Sequence, residues 1–295
     1  MKPLRMVGRE QGTLTVEEYR HVEQEITKAV QPVLVARKIF PTTKIGDAGY
    51  MQTKYYTQTQ MSQAQISMYG ETESEDKVVR YPTVLPVPII HKDFLLHWRD
   101  ILASRRFGES IDVSHGQDAA RQVAEEEDKL LLTGEYTGWE AYGIQGLATR
   151  ANRGTTPGGA WPANAIANIN AARAVLQAAG YVGVPFTLVG RVTQIKALDG
   201  QVANTAFTYR QFLLQNKLVQ AIYESDNLFT AAGLTTSALL VATAKENFDL
   251  VIAQDITTFM WQDKHMNQHG KVYEAVVPRI RRPTSICEIT GLSVA

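Results

Sequence analysis

The sequence is almost without cysteine, with a single residue at position 287 in a chain of 295. One thiol excludes an intramolecular disulfide framework and fits folding in a reducing cytosol. An excess of charge is also missing, because 30 Lys and Arg balance 30 Asp and Glu. A surface that wraps nucleic acid normally carries a basic surplus, so sequence-specific nucleic-acid binding is not expected. Neutrality removes long-range repulsion between copies, which suits dense assembly. No run approaches the roughly 18 apolar residues of a membrane span. The opening MKPLRMVGREQGTL lacks the apolar stretch of a signal peptide. These absences lead us to expect a soluble intracellular protein with no membrane partner.

The motifs of catalysis are absent as well. There is no G-x-x-x-x-G-K-[ST], no strand–G-x-G-x-x-G–helix unit, no G-x-S-x-G elbow, no H-E-x-x-H and no paired Cys motif. His265 and His269 are four apart, but His265-Met266-Asn267-Gln268-His269-Gly270 reads as a turn between strands, and no Cys or Glu completes a zinc set. Cys287 sits in apolar Ser285–Ile289, where a buried, inert thiol is the default. The acids Glu125, Glu126, Glu127 and Asp128 occupy consecutive helix positions, which point in different directions and do not converge on an ion. They predict a solvated or intersubunit-pairing face. No catalytic, cofactor-binding or metal-ligating residue is assigned.

What is present is globular: 44% hydrophobic and 20% charged residues, enough for one large domain or two modest ones with a substantial core. Residues 1–13 read as a flexible arm. Thr15 and Glu18 have capping-box spacing, and Tyr19, Val22, Ile26 and Val30 form the apolar stripe of a helix that Pro32 stops. Residues 46–82 are rich in Gln, Thr, Tyr and Met around an acidic turn, Gly70–Asp76, and predict a long β-ribbon. Such a ribbon has no core of its own and is marginal alone, so it points to packing against another subunit, with a disordered loop as the competing reading. Prolines in Leu85–Ile90 argue against a central strand there. Ser114 to Thr133 predicts a long helix stopped by Gly134, with Glu125 and Lys129 at i,i+4. Residues 134–163 read as loop. Helices are predicted at about 164–179, 192–198 and 209–215, and a strand at Phe186–Val189. Short strands at 238–243, 249–254, 257–262, 271–279 and 285–290 predict a late antiparallel sheet, making the fold class α+β.

In order along the chain, several segments resemble the HK97-like shell proteins of tailed-virus capsids, and particularly their encapsulin branch. Leu14–Tyr19 resembles the N-terminal helix opening, and Val35–Phe40 the short strand after it. Ala124–Asp128, leading to Gly143-Ile144-Gln145-Gly146-Leu147, resembles the end of the spine helix and its sequel. Pro185–Val189 resembles an axial-domain strand, and Val251–Ile256 the G-Q-D strand entry, with Ala253 where glycine is usual.

The resemblance implies an HK97-like capsid fold: an N-terminal arm and helix (1–45), an extended loop over a neighbouring subunit (46–82), a peripheral domain with the spine helix (83–149), an axial domain (150–250), and C-terminal strands returning to the peripheral domain (251–295). It implies many copies of the chain in pentamers and hexamers. Tyr50, Tyr55, Tyr56, Met61, Met68, Arg80, Glu125, Glu126, Asp128, Arg279 and Arg281 are the intersubunit contact candidates. The carboxylates would meet basic side chains such as Arg80, Arg105, Arg106, Arg279, Arg281 or Arg282 of adjacent chains.

Two functions lie within this fold. The preferred one is the major capsid protein of a tailed virus, in the virion, enclosing DNA without sequence-specific binding and assembled with scaffold, portal or decoration proteins. The chain length, the Gln/Thr-rich ribbon and the glycine-rich 154–159 favour it. The alternative is an encapsulin shell around a cargo enzyme. In that case Tyr19, Val22 and Ile26 on the inner face are candidates for a cargo groove, with plain packing the preferred role. A remote third reading is a soluble α+β enzyme. Lys54 is the ribbon lysine a covalent cross-link would use, but no partner is identified for it.

Overall fold

The structure, a computed structural model, describes residues 14–30, 35–58, 61–64, 66–69, 77–107, 113–134, 142–203, 205–225 and 236–294. The expected arm 1–13, the stop at Pro32 and the ribbon turn Gly70–Asp76 lie outside the described residues, as does the Val30 side chain. The first part contains α1 (Val16–Val30), α2 (Ala36–Ile39), β1 (Thr42–Lys44), the ribbon strands β2 (Gln52–Gln58) and β3 (Arg80–Pro86), β4 (Ile89–Leu96), α3 (Trp98–Phe107) and α4 (Ser114–Thr133). The middle contains β5 (Gly154–Pro157), β6 (Ala160–Trp161), α5 (Ala165–Ala178), β7 (Phe186–Gly190), α6 (Val192–Ala197), α7 (Tyr209–Gln215), β8 (Ala221–Glu224) and β9 (Ala238–Ala242). The chain closes with β10 (Phe248–Gln262), β11 (Gln268–Ile280), β12 (Ile286–Thr290) and β13 (Ser293–Val294).

Two sheets organise these elements. One has the order β1-β10-β11-β4 and the other β5-β12-β9-β7-β8. The long hairpin β10–β11 is buried on both faces at its base. Leu250, Ile252, Val276 and Ile280 pack with Val189, Leu239 and Val241 of the second sheet, while Val251, Ala253, Ala275 and Val277 pack on Leu130 and Ile144. The first cluster therefore fuses the two sheets into one continuous core. Towards the hairpin tip only one face is covered, by α1, α3 and α4 through Val22, Ile26, Ile101, Ala120 and Val123, which pack with Phe94 of β4. Gly270 is needed there, because a side chain at this position would collide with the ring of Phe94, its partner across β4.

Local chemistry explains the helix ends. Thr15 N donates to Glu18 Oε2 at 2.7 Å and Glu18 N to Thr15 Oγ1 at 3.2 Å, a complete capping box. At the C-terminus of α4, Gly134 adopts φ +78°, a left-handed conformation that glycine tolerates. The returning chain then donates Leu147 N to Leu131 O and Ala148 N to Leu132 O, satisfying carbonyls the helix leaves open.

Three expectations are corrected. Val35–Phe40 contains the helical turn α2, not a strand, because the Asp128 carboxylate accepts the N–H groups of Val35 and Ala36 at 3.1 and 3.0 Å and anchors the start of a helix. The late strands do not form one antiparallel sheet. Pairs β1–β10, β12–β5 and β7–β8 are parallel, and β12 joins β9 and β5 in the second sheet, so the last segment does not return wholly to the first. The runs 249–254 and 257–262 are one strand, interrupted by register shifts between Ile252 and Thr257. The proline argument is consistent with β4, which lies at a sheet edge.

Candidate functional site

The ribbon is built as its composition suggests. β2 and β3 pair antiparallel from Gln52↔Pro86 to Gln58↔Arg80. Alternation turns Thr53 and Tyr55 inward, both buried, while Lys54 and Tyr56 face out, the Lys54 ammonium 5.4 Å from the Tyr56 ring centroid. Tyr50, Tyr56, Tyr81 and Val84 are about half exposed, and Met61, Ile66, Met68 and Tyr69 are largely or wholly exposed. Arg80 is exposed as well. The ribbon and the segment between its strands thus leave much apolar surface uncovered by their own chain, more than a two-stranded ribbon buries. Tyr55 is corrected as a contact candidate, since its own chain covers it.

A second surface was not anticipated. On the tip of the β10–β11 hairpin, the face away from α4 carries Phe259, Trp261 and His269, stacked with centroids 5.9 and 5.5 Å apart. Leu95 of β4 stands opposite His269 and is 43% exposed. Lys271 and Asp93 flank the group in an ion pair of 3.5 Å. The signal in the sequence was the i,i+2 spacing of Phe259 and Trp261 within a strand whose intervening Met260 faces the core.

The acidic run divides between surface and interior. Glu125 pairs with Arg121 at 2.9 Å and Glu126 with Lys129 at 2.7 Å, both partly exposed. Glu127 and Asp128 are 0% and 2% exposed, which corrects the expectation of a solvated or pairing face for these two. Glu127 receives Arg37 Nε at 2.7 Å, and the same guanidinium reaches Asp255 at 2.8 Å and Glu274 at 2.9 Å. Asp255 is turned toward Arg37 where β10 is irregular, a local device for re-aiming a side chain. Burial pushes the Asp128 carboxyl up to about 7, although the Val35 and Ala36 N–H groups pull against it.

Three of the basic candidates, Arg105, Arg279 and Arg281, are also engaged within the chain. Arg279 makes a bidentate pair with buried Asp249 at 2.9 and 2.5 Å, and Arg281 reaches the same carboxylate at 3.2 Å. Arg105 holds Glu18, whose carboxyl it lowers to about 2. Asp128 and Arg279 are therefore corrected as intersubunit contacts. Val22 and Ile26 are buried against α4, and Tyr19 OH donates to Thr258 O at 2.9 Å. His269 pairs with Asp263 at 3.1 Å, and Cys287 is buried, with its thiol pushed up by burial. Among the described residues, no group of three or more His, Cys, Asp or Glu is arranged to hold a metal ion, and no helix is long and apolar enough to cross a membrane.

Comparison with known proteins gives this geometry a context. The profile of a family described as encapsulating protein for peroxidase matches residues 5–277. The type 1 encapsulin shell protein EncA of Myxococcus xanthus is 29% identical over 287 residues, covering 97% of this chain and 96% of that protein. A diheme-cytochrome-encapsulin shell fusion protein of Kuenenia stuttgartiensis is 25% identical over 92% of this chain and 72% of its own length. Among solved structures, the virus-like particle from Pyrococcus furiosus superposes with a TM-score of 0.64 at 16% identity, covering 92% of this chain and 98% of that one. The capsid of Myoviridae phage XM1 gives 0.65 at 12% identity, covering 88% and 92%. The fold is the HK97-like capsid fold, α+β and shell-forming.

Proposed function

The chain belongs to the family of encapsulating proteins for peroxidase, and from that premise we propose that it is the shell subunit of an encapsulin, a closed compartment around a cargo protein. The observation that carries this is the end-to-end match to an encapsulin shell protein, with 97% of one chain aligned to 96% of the other. The order of preference set out from the sequence is thereby reversed: the encapsulin reading stands ahead of the viral capsid. The phage capsids share the fold at 10–15% identity, which speaks for architecture and not for contents. Portal, scaffold and packaged DNA belong to the viral reading and fall with it, and the compartment lies in the cytoplasm, not in a virion.

The partners are many copies of the chain and one cargo protein. The chain's own work is structural, with no catalytic step. Tyr50, Tyr56, Met61, Met68 and Arg80 on the ribbon make the contacts between copies, with Glu125 and Glu126 at the border of α4. Cargo does not rest on Val22 and Ile26, whose side chains are already packed. Particles purified from the native cell test the reading. The expected result is one co-purifying protein protected from protease and no long DNA. Nuclease-protected, genome-length DNA would return the viral capsid to first place.

A further inference from the structure

Arg37 stands where three carboxylate-bearing elements meet: Glu127 on α4, Asp255 on β10 and Glu274 on β11. Glu127 and Glu274 are fully buried. The charges do not balance, since three carboxyl groups face one guanidinium. The further cations near the site among the described residues are Lys44 of β1, 3.7 Å from Asp255 and largely exposed, and the exposed Lys38 of α2, which acts on Asp128. Glu274 Oε1, sealed from solvent, has no hydrogen-bond donor among the described residues. Left ionised, that oxygen would carry a desolvation penalty with no compensation. Carrying a proton, it becomes a donor, and the Glu127 carboxylate held on the same guanidinium is the acceptor at hand. Two carboxyl groups this close cannot both ionise cheaply, so they titrate as a pair holding one proton between them.

We propose that Glu127 and Glu274 share a single proton, and that this proton latches α2, through Arg37, onto α4 and the β10–β11 sheet, so that alkali opens the latch. α2 connects the N-terminal helix to β1, so the latch governs how firmly the N-terminal part is held. The inference concerns the single chain and does not depend on what the shell encloses. The facing groups are Arg37 and Lys38 of α2, Glu127 and Asp128 of α4, Asp255 of β10, Glu274 of β11 and Lys44 of β1. Burial raises Glu127, Glu274 and Asp128 above their ordinary values, the last to about 7. Groups raised on folding contribute stability fully below their unfolded values and lose it as pH rises through the folded ones. The latch is thus closed in mild acid and weakened in alkali.

The test is amide hydrogen exchange at α2 in the intact protein, corrected for the intrinsic pH effect, in wild type and in Glu274→Gln. A carboxamide can accept from Arg37 and donate to Glu127 but cannot ionise. Between pH ~6 and ~9, wild-type α2 should lose about tenfold in protection, and Glu274→Gln should lose clearly less. The infrared band of buried protonated carboxyl groups should be present in wild type near pH 7 and fade in alkali, whereas Glu274→Gln should keep only the part that Asp128 contributes and lose the remainder. Asp255→Asn removes a negative charge that faces Arg37 and raises both members of the pair, so it should shift the loss of protection to lower pH without abolishing it. If Glu274→Gln does not fold, Glu127→Gln carries the same test. An equal loss of protection in wild type and variant, or no wild-type carboxyl band, would overturn the proposal.

Discussion

At the scale of single residues, two positions hold the first sheet to its helices. Arg37 is the sole guanidinium among the described residues serving Glu127, Asp255 and Glu274. Removing it by Arg37→Ala strands fully buried carboxyl groups, and breaking a buried pair from one side costs about 3–5 kcal/mol. A loss of that size in the midpoint of denaturant unfolding is the expected outcome, against no more than ~1 kcal/mol for Arg121→Ala, whose ion pair with Glu125 is partly exposed. Gly270 is the second position. Gly270→Ala forces the buried Phe94 ring out of place, and overpacking of this kind costs about 1–3 kcal/mol. Thermal unfolding of that variant should show a lowered midpoint. Neither role was legible from spacing. Arg37 lies 90 residues from Glu127 and 237 from Glu274, and no local periodicity connects them. The Thr15–Glu18 capping box was legible, because its members are three residues apart and their geometry is that of one helical turn.

At the scale of elements, local physics was again the readable part. The apolar pattern and glycine stop placed α4 at Ser114–Thr133, where the structure has it, and the helix expected at about 209–215 is α7. Strand partners were not readable. β12 looks like its neighbours in sequence, yet pairs with β9 and β5, a choice made by the core around Cys287 and Ile289 and not by the strand itself. The turn α2 escaped for a similar reason, since its anchor is a carboxylate from a distant helix. The ribbon is the opposite case, because its excess of uncovered Tyr and Met was visible in composition alone. Replacing Met61, Ile66 and Met68 together by Ser should leave subunit unfolding within ~0.5 kcal/mol of wild type, as these side chains touch little of their own chain. Light scattering should nonetheless show a loss of large particles. A triple variant that assembles normally would remove these side chains from the contact surface.

At the scale of the whole molecule, two sheets share one core, and a two-stranded ribbon and an aromatic hairpin tip leave apolar side chains outside it. A subunit with zero formal charge and uncovered apolar patches is suited to packing against copies of itself. The fold class and shell-forming character could be read from the ordered resemblance along the chain. The contents could not, because nothing in a shell subunit's own core depends on whether DNA or protein lies inside. The central claim is that this chain alone closes into a shell, and electron microscopy of the protein expressed by itself tests it most directly. The account predicts uniform, closed icosahedral particles. A monodisperse dimer or tetramer that never assembles, at any concentration or salt, would contradict it.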